Sequence, residues 1–280
     1  MLLIDKDRTG DISISQFSSE LLEGEIVEPS GENISILFVD VETTGLSYDN
    51  DKIIQLACRP VLVDKATGSL TRVMGNKIFF NDPGFPISKE ISDLTGVTDQ
   101  DVKGKSVDWI SLAKIMNRVD FVVAHNVRFD RHFIKKHMIE SGVVMPETIW
   151  GCTMSQIDWR KVCTAGRSLE TLSAWHGFYY SAHDAGVDVD AMIYLLARSG
   201  FVNELLENAL KSQYRVFACN FPRNKNDELK SRKYRWDPDV RMWWTGFDNK
   251  ESADEEVDWL KQTSGVEPQI FEVKPNHLFD

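Results

Sequence analysis

Cysteine is scarce in this chain: four residues in 280, at Cys58, Cys152, Cys163 and Cys219. None pair as CxxC and none neighbours a histidine at zinc-ligand spacing, so neither a disulfide framework nor a zinc site is expected. Reduced, mostly buried thiols are the expectation. Long apolar runs are also missing, and nothing approaches the roughly 20 residues that cross a bilayer. The opening MLLIDKDRTG meets charge at once and lacks the apolar core of a signal peptide. A cytoplasmic protein with no membrane partner is expected. Positive charge is in deficit, with 32 Lys and Arg against 43 Asp and Glu and a net charge of −11. That balance argues against a generally basic nucleic-acid-binding surface.

The apolar and charged fractions, 42% and 27%, are those of a globular chain long enough for one good core and an appendage. Residues 1–32 are polar and poorly periodic and read as a lead-in. ISILFVD (34–40) is β-branched and apolar and reads as a buried strand. KIIQLACRPVLVD (52–64) and TRVMGNKIFF (71–80) read as two more strands, forming an antiparallel meander. Ser88 can cap a short helix ending at Gly96, and Ser106 a second over VDWISLAKIMNRV. FVVAHN (121–126) reads as a strand, and residues 127–142 as an amphipathic helix. SLETLSAWHG and DAGVDVDAMIYLLARSG read as later helices. This order implies an α/β layer fold around a mixed sheet, with the main domain spanning 33–212. From Gln213 the pattern resets into a small basic and aromatic β-α-β module, 213–247, followed by an acidic tail, 248–280. Residues 211–241 carry nine basic and four acidic residues, and 248–280 carry three and nine.

The acidic residues of the main domain fall at telling places. Asp40 ends an apolar strand, and Glu42 follows two positions later, on the same face. Asp130 sits in the first turn of the helix after FVVAHN, and Asp188 near the start of the last helix. Bringing such charges together in a partly buried site costs several kcal/mol, on the order of a buried ion pair's desolvation, unless a cation neutralises them. Oxygen ligands favour Mg2+ or Mn2+ over zinc. Two such ions about 3.5–4 Å apart suit displacement at a phosphodiester. His183, five residues before Asp188, suits a general base.

FVDVETTGL (38–46), AHNVRFD (124–130) and HDAGVD (183–188) resemble the three motifs of the DEDDh family of 3′-to-5′ exonucleases. That family includes the proofreading subunit of bacterial replicative polymerase and oligoribonuclease. SDLTGVTDQDV (92–102) resembles a further segment that lies near the scissile strand. The resemblance covers roughly residues 34–200. It implies a ribonuclease H-like mixed sheet flanked by helices, and two Mg2+ or Mn2+ ions held by Asp40, Glu42, Asp130 and Asp188. It implies His183 as general base, and Thr43, Gly45 and Leu46 as the turn holding the 3′-terminal nucleotide, with Asn126 as a polar support. Every catalytic position is filled. The substrate implied is DNA from its 3′ end, single-stranded or frayed. RNA trimming by the same chemistry is an alternative, as is an accessory subunit that mainly binds a polymerase or helicase.

Other features are expected to be plain. His125 is expected to be structural, and His132, His137 and His176 to have no functional role. Asp184 and Asp190 are expected to be solvated. DKDRTGDISISQ (5–16) places Asp5, Asp7, Thr9, Gly10 and Asp11 as in an EF-hand calcium loop. Gln16 replaces the bidentate Glu and no entering helix precedes it, so a solvated turn is expected. In KYRWDPDVRMWWTGF, strand alternation sends Trp243 and Trp244 to opposite faces, with Trp243 expected in the module's own core.

Overall fold

A strand of eleven residues, Asn33–Thr43, runs through the middle of a six-stranded sheet and fixes the layout of the main unit. The computed structural model describes residues 13–238, 240–265 and 267–279. The candidate calcium-loop residues Asp5, Asp7, Thr9, Gly10 and Asp11 lie outside the described residues. The chain divides into two compact units at Ala209/Leu210.

In the first unit, β1 (Ser15–Gln16) precedes a 3-10 turn, Ser19–Glu25. The central strand is β2, followed by β3 (Ile53–Asp64), β4 (Leu70–Val73) and β5 (Lys77–Phe80). Helices α1 (Lys89–Thr95), α2 (Asp99–Val102) and α3 (Trp109–Met116) come next. Then β6 (Phe121–Ala124) leads into α4 (Val127–Glu140), and β7 (Ile149–Cys152) follows. The unit ends with α5 (Leu169–Trp175), β8 (Phe178–Tyr179), α6 (Ala185–Ser199) and α7 (Val202–Ala209). The sheet order is β4-β3-β2-β6-β7, with β5 also on β3. β2, β3, β4 and β5 pair antiparallel, whereas β2-β6 and β6-β7 are parallel. The expected mixed α/β architecture is what forms. Apolar clusters cover both faces: Phe38, Ile36 and α6 on one, Leu37, Val39, Phe133 and Met138 on the other.

Three differences from the sequence reading have local causes. Residues 71–80 form two strands, because the chain breaks at Met74–Asn76. There the Met74 carbonyl accepts from Arg59 Nε at 2.7 Å, and the Asn76 amide turns to the Gly186 carbonyl at 2.9 Å. Helix α3 starts two residues past the expected Val107, because Asp108, not Ser106, caps it by accepting from the Ser111 amide at 2.9 Å. The lead-in is partly built into the unit: β1 pairs with β8, and Phe17 and Leu22 are buried in the core.

Asp190 is also not solvated. It is buried and binds Arg59 Nη1 at 2.6 Å, Ser19 Oγ at 2.6 Å and Asn76 Nδ2 at 3.2 Å. These bonds tie α6 to β3, to the β4–β5 break and to the N-terminal turn.

The second unit contains β9 (Gln213–Ala218), α8 (Asn226–Ser231), β10 (Arg235–Asp237), β11 (Met242–Phe247), α9 (Lys250–Ser264) and β12 (Gln269–Val273). Its antiparallel sheet has the order β10-β11-β9-β12. The stretch expected as an acidic tail thus supplies a helix and an edge strand. Ala253, Val257 and Leu260 of α9 fall at helical spacing and pack on Val216 and Ala218.

Removing one partner of a buried ion pair leaves the other uncompensated. Asp190→Ala is therefore expected to cost about 3–5 kcal/mol of first-unit stability. Replacing Arg59 and Asp190 together by apolar residues is expected to cost much less. Urea denaturation of the two variants checks this, and equal losses would refute it.

Candidate active site

Alternation along β2 sends Asp40 and Glu42 to one face, opposite Ala57 and Gln55 of β3. A register shift at Glu42/Thr43 then ends the regular pairing. Gln55 is buried, and its Oε1 accepts from the Ala185 amide at 3.0 Å. That bond brings the start of α6 onto the same face. Asp184 caps α6 by accepting from the Gly186 amide at 2.9 Å, so it too is engaged rather than merely solvated. Asp188 follows in the first turn. A Cβ on Gly186 would lie 2.6 Å from Ile78 Cδ1, so the glycine permits the close approach of helix to β5.

Oxygens of Asp40, Glu42 and Asp188 come within 4.8 Å of one another, a grouping able to hold a metal ion. Asp130 stands beside this trio. Its Oδ1 accepts from the Val41 amide at 3.2 Å, between the two β2 carboxylates in sequence, and it is buried. All four carboxyls hold protons more tightly than usual. Burial, then repulsion from Asp130, Asp188 and Glu42, pushes Asp40 well up. Burial and the neighbouring Asp188 and Asp130 push Glu42 to about 8. Burial raises Asp130 to about 7 and Asp188 to about 6, the latter moderated by a Tyr180 hydrogen bond and by His183. Asp188 Oδ2 is buried with no hydrogen-bond partner. Repelling carboxylates and an orphaned oxygen fit divalent cations: Asp40, Glu42 and Asp188 would hold them, with Asp130 adjacent.

His183 is exposed and has φ 70°, in the left-handed region that non-glycine residues rarely adopt. Its Nε2 lies 3.8 Å from Glu170 Oε1 of α5. Thr43 is buried, and its hydroxyl donates to the Gly45 carbonyl at 2.6 Å, closing the turn after β2. A Cβ on Gly45 would lie 2.6 Å from the Asp51 carboxylate, which accepts from Thr44 Oγ1 and the Ser47 amide. Leu46 projects from this turn, 81% exposed. Asn126 is exposed at the N-cap position of α4 and makes no capping bond. His125 is structural in its contacts: Nδ1 pairs with Thr153 Oγ1 at 2.7 Å and Nε2 with the Arg167 carbonyl at 2.8 Å.

Sequence reading missed Tyr180, Gln55 and Glu170. Tyr180 OH donates to Asp188 Oδ1 at 2.9 Å. Its only sequence signal was its position three residues before His183. Gln55 could be found only through its register opposite Glu42.

Residues 37–196 match the family described as Exonuclease, RNase_T. Over 124 residues the chain is 32% identical to the PolC-type DNA polymerase III of Clostridium perfringens, covering 44% of this chain and 8% of that protein. Over 171 residues it is 30% identical to that of Listeria monocytogenes, covering 59% and 11%. The chain thus spans about a tenth of the length of these relatives. Among solved structures it resembles exonuclease I in its apo form, at TM-score 0.53 and 16% identity over 88% of this chain and 63% of that one. It similarly resembles the zinc-bound E. coli exonuclease I–ssDNA complex, at TM-score 0.52 and 15% identity over 87% and 64%. Both likenesses concern the fold. Among the described residues no helix is long and apolar enough to cross a membrane.

Two predictions follow from the carboxylate geometry. Raised folded-state pKa values mean that the metal-free protein holds protons that the unfolded chain has released, so stability falls as pH rises through them. The buried histidines, held neutral, act oppositely only below about pH 6.5. In EDTA, Tm is therefore expected to fall from about pH 6.5 to 8.5. Added Mg2+ should reverse the fall, and Asp40→Asn should shrink it. A flat or rising Tm in EDTA would contradict the assignment. Tyr180→Phe removes a bond to a candidate ligand carboxylate and is expected to raise the divalent-cation concentration for half-maximal activity about 10-fold. An unchanged metal dependence would exclude this role.

Proposed function

Because the chain belongs to the exonuclease family matched over residues 37–196, we propose that it removes nucleoside monophosphates from the 3′ end of DNA. The observation that carries this is the Asp40, Glu42 and Asp188 cluster, its oxygens within 4.8 Å, with one Asp188 oxygen left without a protein partner. Divalent cations bound there, Mg2+ or Mn2+, would supply positive charge to the scissile phosphate and the departing 3′ oxygen.

The chain's own groups do the rest. His183 takes the proton of the attacking water on a ring nitrogen, with Glu170 beside it as a carboxylate partner for the imidazolium formed. Leu46, held out by the Thr43–Gly45 turn, packs against the terminal base. Asn126 offers an amide at the entrance of α4. Asp130, anchored on the Val41 amide, completes the anionic set.

DNA is the proposed substrate because the curated relatives are DNA polymerases and a solved structure of similar fold holds single-stranded DNA. Similarity to part of a polymerase also supports service beside a polymerase as a removing activity. Four unpaired cysteines accord with a cytoplasmic setting.

The test uses 5′- and 3′-labelled single strands of DNA and RNA with Mg2+, Mn2+ or EDTA. Mononucleotide release from the DNA 3′ end, abolished by EDTA, is expected. Asp40→Ala should abolish turnover with the fold retained, and His183→Asn should lower kcat about 10²–10⁴-fold. Cleavage from the 5′ end, cleavage surviving EDTA, or near-normal turnover by Asp40→Ala would sink the proposal. Faster release from RNA would reassign the substrate.

A further inference from the structure

The second unit has two unlike faces. Strand pairing places Val216, Ala218, Thr245 and Ile270 on the side covered by α8 and α9, and Trp243 packs with them. The residues between them point to the other side. There, direct pairing sets Trp244 beside Phe217 and Arg235, and Phe271 beside Arg215. Three aromatic rings therefore cross three adjacent strands. Trp244 and Phe217 have centroids 6.5 Å apart, and Phe217 and Phe271 meet edge to face at 5.7 Å. The Arg215 guanidinium lies over Trp244, 5.0 Å from the ring centre, and donates to the Leu278 carbonyl. Arg235 is exposed at the edge of the row, and Phe271 is 51% exposed. Asp237 shares this side, where it accepts from the Val240 amide.

Arg215 and Arg235 bring positive charge to the aromatic side, against one carboxylate there, Asp237. The outward side of α9, behind the sheet, carries exposed Asp254, Glu255 and Asp258. A polyanion is therefore favoured on the aromatic side, with its two arginines, over the outward side of α9, with its three exposed carboxylates. Aromatic rings in a row beside arginine give bases a surface to stack on and phosphates a cation to meet, without reading sequence. We infer that this open sheet face binds single-stranded DNA, with bases stacked on Trp244, Phe217 and Phe271 and the backbone passing Arg235. The choice of DNA rests on the proposed function; the stacking and charge arguments do not.

The test measures binding by the full chain in EDTA, where hydrolysis is blocked. The probes are a fluorescent oligothymidylate of about 20 nucleotides, long enough for one or more OB-sized sites, an abasic strand of equal length, and oligouridylate. Wild type is expected to prefer oligothymidylate to the abasic strand. Phe271→Ala, at a half-exposed position, should weaken oligothymidylate binding about 5-fold or more, and Trp244→Ala with Phe271→Ala about 100-fold, on the scale of 1–3 kcal/mol per stacked base. The preference over the abasic strand should vanish in the double variant. Arg235→Glu should weaken the DNA and abasic strands alike and flatten the salt dependence. Unchanged oligothymidylate binding in Phe271→Ala, with circular dichroism unchanged, overturns the inference. So does a loss confined to oligouridylate. If the wild type shows this preference but releases no nucleotide when Mg2+ is supplied, the proposed function fails and the binding face stands.

Discussion

The burial of four carboxyl groups side by side, two of them fully and two partly, is the constraint on which the first unit is built. Burial pushes the proton affinity of Asp40, Glu42, Asp130 and Asp188 up, and repulsion adds to it: Asp130, Asp188 and Glu42 act on Asp40, Asp188 and Asp130 on Glu42, and Asp188 on Asp130. In a low-dielectric site, anions at this spacing favour protonation or a cation. The fold contributes partial compensation. The Val41 amide bonds Asp130, the Tyr180 hydroxyl bonds Asp188, and Asp130 and Asp188 each occupy the first turn of a helix. A helix N-terminus carries partial positive charge, so carboxylates there are less costly than elsewhere. One Asp188 oxygen remains without a partner, and the compensation from protein groups is incomplete by that much.

Sheet topology explains how four distant residues meet. β2 and β6 are parallel, so α4, which follows β6, begins at the end of the sheet where β2 carries Asp40 and Glu42. α6 arrives at the same end through Gln55 on β3. Its lateral position is then fixed by Asp190, two residues beyond Asp188 and so on another side of the helix, through Arg59, Ser19 and Asn76. A buried charge pair some two residues from a metal-ligand candidate orients the helix without adding to the anionic cluster, because Arg59 neutralises it.

These relationships mark what a sequence can and cannot reveal. The grouping of Asp40, Glu42 and Asp188, with Asp130 beside it, is legible because each lies at the end of an apolar element with strong periodicity, and because the three motifs occur in order. Asp190 is not, since its partner lies 131 residues away and nothing local distinguishes a paired aspartate from a solvated one. Helix α7 was overlooked although Val202, Leu205, Leu206 and Ala209 have the spacing of one buried helical face. Helix α9 was hidden by its acidity: its inward row includes Glu256, which is buried because Arg232 pairs with it at 2.8 Å. Counting charge there suggested a tail, whereas the apolar spacing at Ala253, Val257 and Leu260 was the more informative signal.

The same distinction between total and placed charge bears on how an acidic protein can act on a polyanion. A net charge of −11 averages over groups that never face the same ligand. Four of the carboxylates stand together where cations would bind, so locally they attract the positive charge that a phosphate needs. Others coat the outer side of α9, and others are paired internally, as Asp190 and Glu256 are. Screening limits the reach of exposed charges to roughly 10 Å at ordinary salt. Within that radius a phosphate near Arg235 meets the basic edge of an aromatic sheet face, not the average of the chain. An acidic overall composition is therefore compatible with nucleic acid, because field at a site depends on the nearest groups and the burial of the rest.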